Sequence, residues 1–180
     1  MGEFSKLPDT VTKHRDKAPT KVRFALIIVS TSRAQDSSVP DRTMEHLGPL
    51  IKEVGHQIVH QQIIVDDIEI IQRTIQELIL KDQIDSIIFS GGTGIASYDV
   101  TVEAVQPLFD KELTAFSSVF AILSHDQVGS AAILSRATAG IIKKKPVFLL
   151  PGSPKAVLMG CQKIILPEIG HILNLCRKKS

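Results

Sequence analysis

Uninterrupted apolar runs alternate along this chain with segments whose apolar residues recur every three or four positions. Val22 to Val29 is an apolar, β-branched run and predicts a buried strand. The polar stretch Ser30 to Pro40 follows as a loop. Asp41 to Val54 then carries helical spacing through Leu47, Leu50, Ile51 and Val54, with Gly55 placed to stop the helix. Gln57 to Val65 predicts a second strand. Ile68, Ile71, Ile75, Leu78 and Ile79 give the next segment one apolar face. Ile84 to Phe89 is a third strand, running into Ser90 and the glycine-rich residues 91–94.

Val100 to Phe109 reads as a helix with Asp99 or a neighbour as its cap, and Glu112 to Leu123 as another. Ala131 to Leu134 is short and apolar. Ala137 to Ile142 and Pro146 to Leu150 predict two strands joined by a lysine turn. Ser153 and Pro154 make a cap and first-turn pair for a final helix through Val157, Leu158, Ile164, Ile165 and Leu166. Pro167 is expected to kink or interrupt that helix before Ile169 to Leu175. Strands alternating with helices predict an α/β fold: a mostly parallel sheet covered by helices on both faces. Ligands in such folds bind beyond the carboxyl ends of the strands.

Residues 1–20 are polar and carry two prolines, so they read as a flexible arm preceding a single domain over residues 21–180. Hydrophobic residues make up 43% of the 180, enough for a core, and aromatics only 4%, so the core must be aliphatic. A net charge of +2 gives no nucleic-acid footprint. The basic runs Lys143–Lys145 and Arg177–Lys179 read as a solvated turn and a terminus. No apolar run reaches membrane-spanning length and no signal peptide is visible. Cys161 and Cys176 have neither a CxxC nor a His partner spacing. They fit a reduced, cytoplasmic protein better than a disulfide or metal site. The six histidines show no metal-ligand spacing.

The chemistry-bearing positions lie on strand-end loops. Gly91, Gly92, Thr93 and Gly94 can turn backbone N–H groups onto an anion without Cβ obstruction, or can simply form a tight turn. Their spacing matches neither the Walker A motif nor the dinucleotide fingerprint. Asp99 is either a helix cap or a ligand to Mg²⁺, a metal commonly shared between carboxylates and substrate phosphates. Asp66, in Val65-Asp66-Asp67, faces the same choice of cap or ligand. Pro151, Gly152, Ser153 and Pro154 open a helix whose N–H groups could take a phosphate or carboxylate, or form only a rigid start. Ser135 and Arg136 precede a strand, which predicts a place nearer the amino ends of the sheet. No Gly-x-Ser-x-Gly elbow supports a Ser-His-Asp hydrolase.

These pieces together resemble the molybdopterin-binding fold, and within it the MoaB and MogA type proteins. The resemblance rests on Val29-Ser-Thr-Ser-Arg33, Ser90-Gly-Gly-Thr-Gly94, Asp99-Val-Thr101 with Glu103, Ala132-Ile-Leu-Ser-Arg136 and Pro151-Gly-Ser-Pro154. It covers nearly everything after the arm and implies a three-layer αβα fold. The family's reaction is adenylylation of molybdopterin by Mg-ATP with release of pyrophosphate. By that resemblance Asp66 and Asp99 serve the Mg²⁺–ATP complex and are the catalytic and metal residues. Ser30, Thr31, Gly91, Gly92, Thr93, Gly94, Thr101, Ser135, Arg136, Pro151, Gly152, Ser153 and Pro154 are the expected substrate-binding positions.

The resemblance also implies self-association as a homotrimer or homohexamer and a downstream molybdenum-insertion enzyme as partner. It gives no reason to expect a nucleic-acid or membrane partner. The family's Asp-x-Ser/Thr-Gly becomes Asp41-Arg-Thr43-Met44 here. Its Gly-Phe-Gly-Glu followed by Arg becomes Ala115-Phe-Ser-Ser118 with Ala121. Those departures keep a second function open, a non-catalytic paralogue that binds or carries molybdopterin.

Overall fold

The computed structural model describes residue 19, residues 21–36 and residues 42–178. The arm expected over residues 1–20 falls, apart from position 19, outside the described residues. So do Asp41 and Lys179, the last residue of the C-terminal basic run.

Six strands form one sheet: β1 (Arg23–Val29), β2 (Gln57–Ile64), β3 (Ser86–Ser90), β4 (Lys111–Glu112), β5 (Thr138–Ile142) and β6 (Lys145–Leu150). Their order is β2-β1-β3-β6-β5-β4. β1 pairs in parallel with β2 and with β3, and β3 pairs in parallel with β6. The parallel strands β1, β3 and β6 are buried on both faces, as their near-continuous apolar runs require. β5 runs antiparallel to β6, because only two residues, Lys143 and Lys144, connect them. Both lysines have positive φ, 45° and 66°, the backbone of a two-residue hairpin turn. β4 is a two-residue edge strand that the hydrophobic pattern is too short to announce.

The helices are α1 (Thr31–Gln35), α2 (Arg42–Glu53), α3 (Ile68–Ile79), α4 (Thr101–Val105), α5 (Thr114–Val128), α6 (Pro154–Gly160) and α7 (Leu166–Arg177). α1 occupies the start of the stretch expected to be a loop; Ser30 caps it, its side chain accepting from Arg33 N. α4 is shorter than expected and passes into a single 3₁₀ turn at Gln106–Leu108, where Pro107 supplies no N–H to continue it. Phe24, Leu26, Ile28 and Phe148 face α2, α5, α6 and α7 on one side of the sheet. Ala25, Ile27, Val29, Phe89 and Leu149 face α3 and α4 on the other. The two clusters make the three-layer αβα architecture.

Pro167 does not interrupt the last helix. A single π turn at Cys161–Ile165 lies immediately upstream, and Pro167 falls in the first turn of α7, where its missing N–H matters least. Pro154–Arg177 therefore forms one helical segment of 24 residues, with mean hydropathy 1.3 in its most apolar window. By length and composition it could cross a membrane, which the pattern of shorter runs had not announced. Val157, Met159, Cys161, Ile165, Ile169 and Leu173 are buried in the core, which is the profile of an interior helix.

Candidate functional site

β1 lies between β2 and β3, so the connections leaving β1 and β2 carry the chain first to one side of β1 and then to the other. A crevice opens at the carboxyl ends of strands where the order reverses in this way. Here it is a cleft of about 1450 Å³. Ser30 and Thr31 after β1, Asp66 after β2, Gly91 to Gly94 and Asp99 after β3, and Pro151 to Ser153 after β6 all line it. The strand-end loops, far apart in sequence, thus meet along one rim.

Asp66 and Asp67 divide the two roles that the sequence left open. Asp67 is exposed and caps α3, accepting from Ile70 N at 2.9 Å. Asp66 is half-buried at the cleft. Its Oδ2 accepts from Thr31 N at 2.8 Å and from Thr31 Oγ1 at 2.9 Å, while Asp66 N donates back to Thr31 Oγ1 at 3.1 Å. Oδ1 faces Gly92, where an added Cβ would stand 3.2 Å from it. Asp99 does not cap α4; Val100 occupies that position without a side-chain bond. Asp99 Oδ2 accepts from Ala96 N at 2.9 Å and lies 2.7 Å from where a Cβ on Gly94 would sit. The two carboxylates therefore stand against the same four-residue loop, one at each of two glycines.

That loop is shaped by close contact. Gly91 has φ +112°, and a Cβ there would lie 2.1 Å from Val29 O; Gly92 has φ +63°. Gly91 N donates to Leu150 O at 3.0 Å. The N–H groups of Gly92, Thr93 and Gly94 have no acceptor among the described residues. Loop amides so disposed form a concavity suited to a phosphate oxygen. Thr93 is itself buried while still lining the cleft.

The remaining expected positions separate. Ser135 lines the cleft and Arg136 lies beside it, at the carboxyl rim of the parallel strands and not near their amino ends as expected. The reason is strand direction: β5 is antiparallel to β6, so its amino end sits at the carboxyl end of the others. Arg136 does not line the cleft. Its Nε donates to Gly94 O at 2.8 Å, its Nη2 to Asp99 O at 3.0 Å, and its fork closes on the Glu103 carboxylate. The hydrogen bond from Arg136 holds the Glu103 carboxyl below its ordinary pKa and raises that of the guanidinium in turn.

Thr101 is fully buried behind the loop, its Oγ1 donating to Gly91 O at 2.9 Å. Pro154 starts α6 and lies outside the lining. Ser153 is exposed, caps α6 by position, and makes no side-chain cap bond. Gly152 packs toward Gly91, and Ser90 Oγ donates to Pro151 O at 3.2 Å, tying the two loops together.

Other lining residues were not singled out from sequence. Tyr98 projects at the loop's far end with 69% of its surface exposed. Lys155, Met159, Gln162 and Lys163 follow Ser153 at helical spacing along one wall, a signal that was available in the sequence. Ser124, Gln127 and Val128 come from the end of α5, for which no local signal exists. Ser118 and Ala121 are exposed on α5 and do not line the cleft. Burial pushes the Cys161 thiol up to about 12, so it is no nucleophile. Among the described residues no group of three or more His, Cys, Asp or Glu side chains gathers as a metal cage. Two carboxylates beside a loop of acceptor-free amides still suit Mg²⁺, which takes few protein ligands and completes its shell with phosphates and water.

A family model for a "probable molybdopterin binding domain" matches residues 25–171. Molybdenum cofactor biosynthesis protein B of Bacillus subtilis (strain 168) is 40% identical over 170 residues, covering 94% of this chain and 98% of its own length. The molybdopterin adenylyltransferase of Pyrococcus furiosus is 38% identical over 176 residues, covering 93% of this chain and 99% of its own. A crystal structure of a molybdenum cofactor biosynthesis protein B superimposes with a TM-score of 0.83 at 39% identity, covering 90% of this chain and 99% of that one.

Proposed function

The chain belongs to the molybdopterin-binding domain family, and on that premise we propose that it adenylylates molybdopterin with Mg-ATP, releasing pyrophosphate. The observation that carries the reading is the arrangement of Asp66 and Asp99 against one loop whose three N–H groups lack acceptors among the described residues. The P. furiosus relative bears the name of this activity.

The reaction forms a P–O bond between the terminal phosphate of molybdopterin and the α-phosphorus of ATP. It breaks the bond from that phosphorus to the β-phosphate. The attacking oxygen is already anionic, so the protein's task is positioning and charge neutralisation. The amides of Gly92, Thr93 and Gly94 hold phosphate oxygens of the nucleotide. Ser153 and the start of the helix at Pro154 take the phosphate of the pterin, with Ser30, Thr31 and Ser135 along the rim between. Asp66 and Asp99 would hold Mg²⁺, which supplies neutralisation of polyphosphate charge. The absent side chains at Gly92 and Gly94 keep both carboxylates accessible, which is why these residues fit the metal.

The same reading includes a cytoplasmic site of action, consistent with two free cysteines. It also includes self-association as a trimer or hexamer through the apolar outer face of α5, and hand-over of the adenylylated product to a molybdenum-insertion enzyme.

Asp99→Asn tests the reading. Incubated with molybdopterin, ATP and Mg²⁺, the unaltered protein should release pyrophosphate, and Asp99→Asn should fold normally and release none. An unchanged rate in that variant removes Asp99 from the metal role. Pterin binding without any nucleotide turnover in the unaltered protein would instead support the carrier role. The departures at Ser118 and Ala121 motivate that alternative, but both lie outside the cleft and give it little support.

A further inference from the structure

Four consecutive carbonyls of the glycine loop turn away from the cleft, and two residues hold them there. Gly91 O accepts from Thr101 Oγ1 at 2.9 Å and Gly92 O from Thr101 N at 2.9 Å. Thr93 O accepts from Arg136 N at 3.1 Å and Gly94 O from Arg136 Nε at 2.8 Å. A peptide plane points its N–H opposite to its C=O. Fixing the carbonyls of Gly91, Gly92 and Thr93 on the rear side therefore aims the N–H groups of Gly92, Thr93 and Gly94 forward.

Arg136 reaches further than Thr101. Its Nη2 donates to Asp99 O at 3.0 Å, so one guanidinium spans both ends of the segment that carries Asp99. Glu103 grips the outer edge of the fork, with Nη2 to Oε2 at 3.2 Å. Glu103 stands in the first turn of α4, and Arg136 stands at the entry to β5. The pair thus fastens the loop to the sheet from behind. Each of the three guanidinium nitrogens donates to a protein acceptor, and Arg136 is absent from the cleft wall.

We propose that the Arg136 side chain, held in orientation by Glu103, is a positioning residue for nucleotide phosphate binding that acts through the Gly94 carbonyl and the Asp99 carbonyl, the two ends of the segment joining the glycine loop to Asp99, without touching substrate. This rests on the Mg-ATP reading of the cleft. A planar fork with fixed donors is required, because a lysine ammonium cannot span Gly94 O, Asp99 O and the Glu103 carboxylate together.

The test is a calorimetric titration of Mg-ATP, and separately of molybdopterin, into the unaltered protein, Arg136→Gln, Arg136→Lys and Glu103→Gln. Thermal melting and amide hydrogen exchange are measured alongside. Losing one to two net hydrogen bonds predicts that Arg136→Gln and Arg136→Lys bind Mg-ATP about tenfold more weakly. Glu103→Gln keeps the fork's carbonyl contacts and should lose about threefold. Pterin affinity should stay within about twofold, since its contacts lie on the opposite loop. Exchange at the Ala96 and Asp99 amides, which are hydrogen-bonded within the segment that the guanidinium spans, should quicken in the arginine variants.

A merely structural role would weaken both ligands alike. Equal weakening overturns the proposal, and so does wild-type Mg-ATP affinity in folded Arg136→Gln. If Arg136→Gln fails to fold, Arg136→Lys and Glu103→Gln carry the same two outcomes. Pyrophosphate release is read independently: its absence in the unaltered protein, with Mg-ATP binding intact and weakened in the variants, overturns adenylyl transfer and leaves the brace standing.

Discussion

Glycines that look equivalent in Ser90-Gly-Gly-Thr-Gly94 are distinguished by what stands beside each. A Cβ at Gly91 would meet a backbone carbonyl, Val29 O, at 2.1 Å, and the residue's φ is +112°. A strand cannot yield to that contact, so Gly91→Ala should destabilise the fold by about 2 kcal/mol or more, read as a lowered denaturant midpoint. Gly94 has no positive φ, and its Cβ would meet the Asp99 carboxylate at 2.7 Å. A side chain can rotate away, so Gly94→Ala should melt within a few degrees of the unaltered protein while pyrophosphate release falls about tenfold or more. The reverse ranking would mean that the loop's shape serves folding and not the cleft. Asp66 and Asp67 teach the same lesson: adjacent, identical residues, one turned to Thr31 at the cleft and one spent on the helix cap.

Elements are joined by a few non-local contacts, and the most heavily charged lies far from the cleft. Asp85, at the entry to β3, is 4% exposed. Burial alone would raise its pKa. The guanidiniums of Arg23, at 2.9 Å, and Arg177, at 2.6 Å, together with Arg23 N, outweigh that and hold it at about 2. Arg177 is the last residue of α7, so this cluster fastens the C-terminal helix to the sheet. A carboxylate with a depressed folded pKa stabilises most above its unfolded value of about 4, and that contribution disappears as pH falls through 2. Asp85→Asn should therefore cost on the order of 1–2 kcal/mol at neutral pH and flatten the loss of stability between about pH 4 and 2. An acid-unfolding curve parallel to that of the unaltered protein would refute the role.

On α5, Phe116 and Phe120 enter the core while Val119 and Ile122 remain exposed, with Ile122 at 64%. Ile133, in the following 3₁₀ segment, is 85% exposed. Large apolar side chains left exposed along a helix mark a candidate contact surface. Ile122→Asp should lower the mass measured by sedimentation without lowering the melting temperature of the domain by more than a few degrees. A mass unaffected by the charge would remove this face from the proposed self-association.

At the scale of the whole molecule, most strands and helices were legible because their signals are local. Uninterrupted β-branched runs and apolar residues at three- and four-residue spacing mark the side-chain periods of strand and helix, which no distant contact has to supply. The strand-end loops were legible for the same reason, and with them Asp66, Asp99 and the glycines. What stayed hidden was short or non-local. β4 has two residues. The π turn before Pro167 costs one register shift in an otherwise continuous helix. The cleft wall from Ser124 to Val128 lies on the far end of a helix that carries no mark of it.

The sequence by itself determined that parallel strands and covering helices alternate, and that the polar, glycine-rich turns fall at strand ends. It could not determine which ends face one another. Ser135 and Arg136 precede a strand, yet they stand at the cleft because the two-residue lysine turn reverses β5 against β6. Strand direction and neighbourhood are set by pairing between segments tens of residues apart, and side-chain periodicity is the same for a strand running either way. Only the assembled sheet therefore decided that Arg136 stands behind the glycine loop, and that the loops after four different strands share one rim.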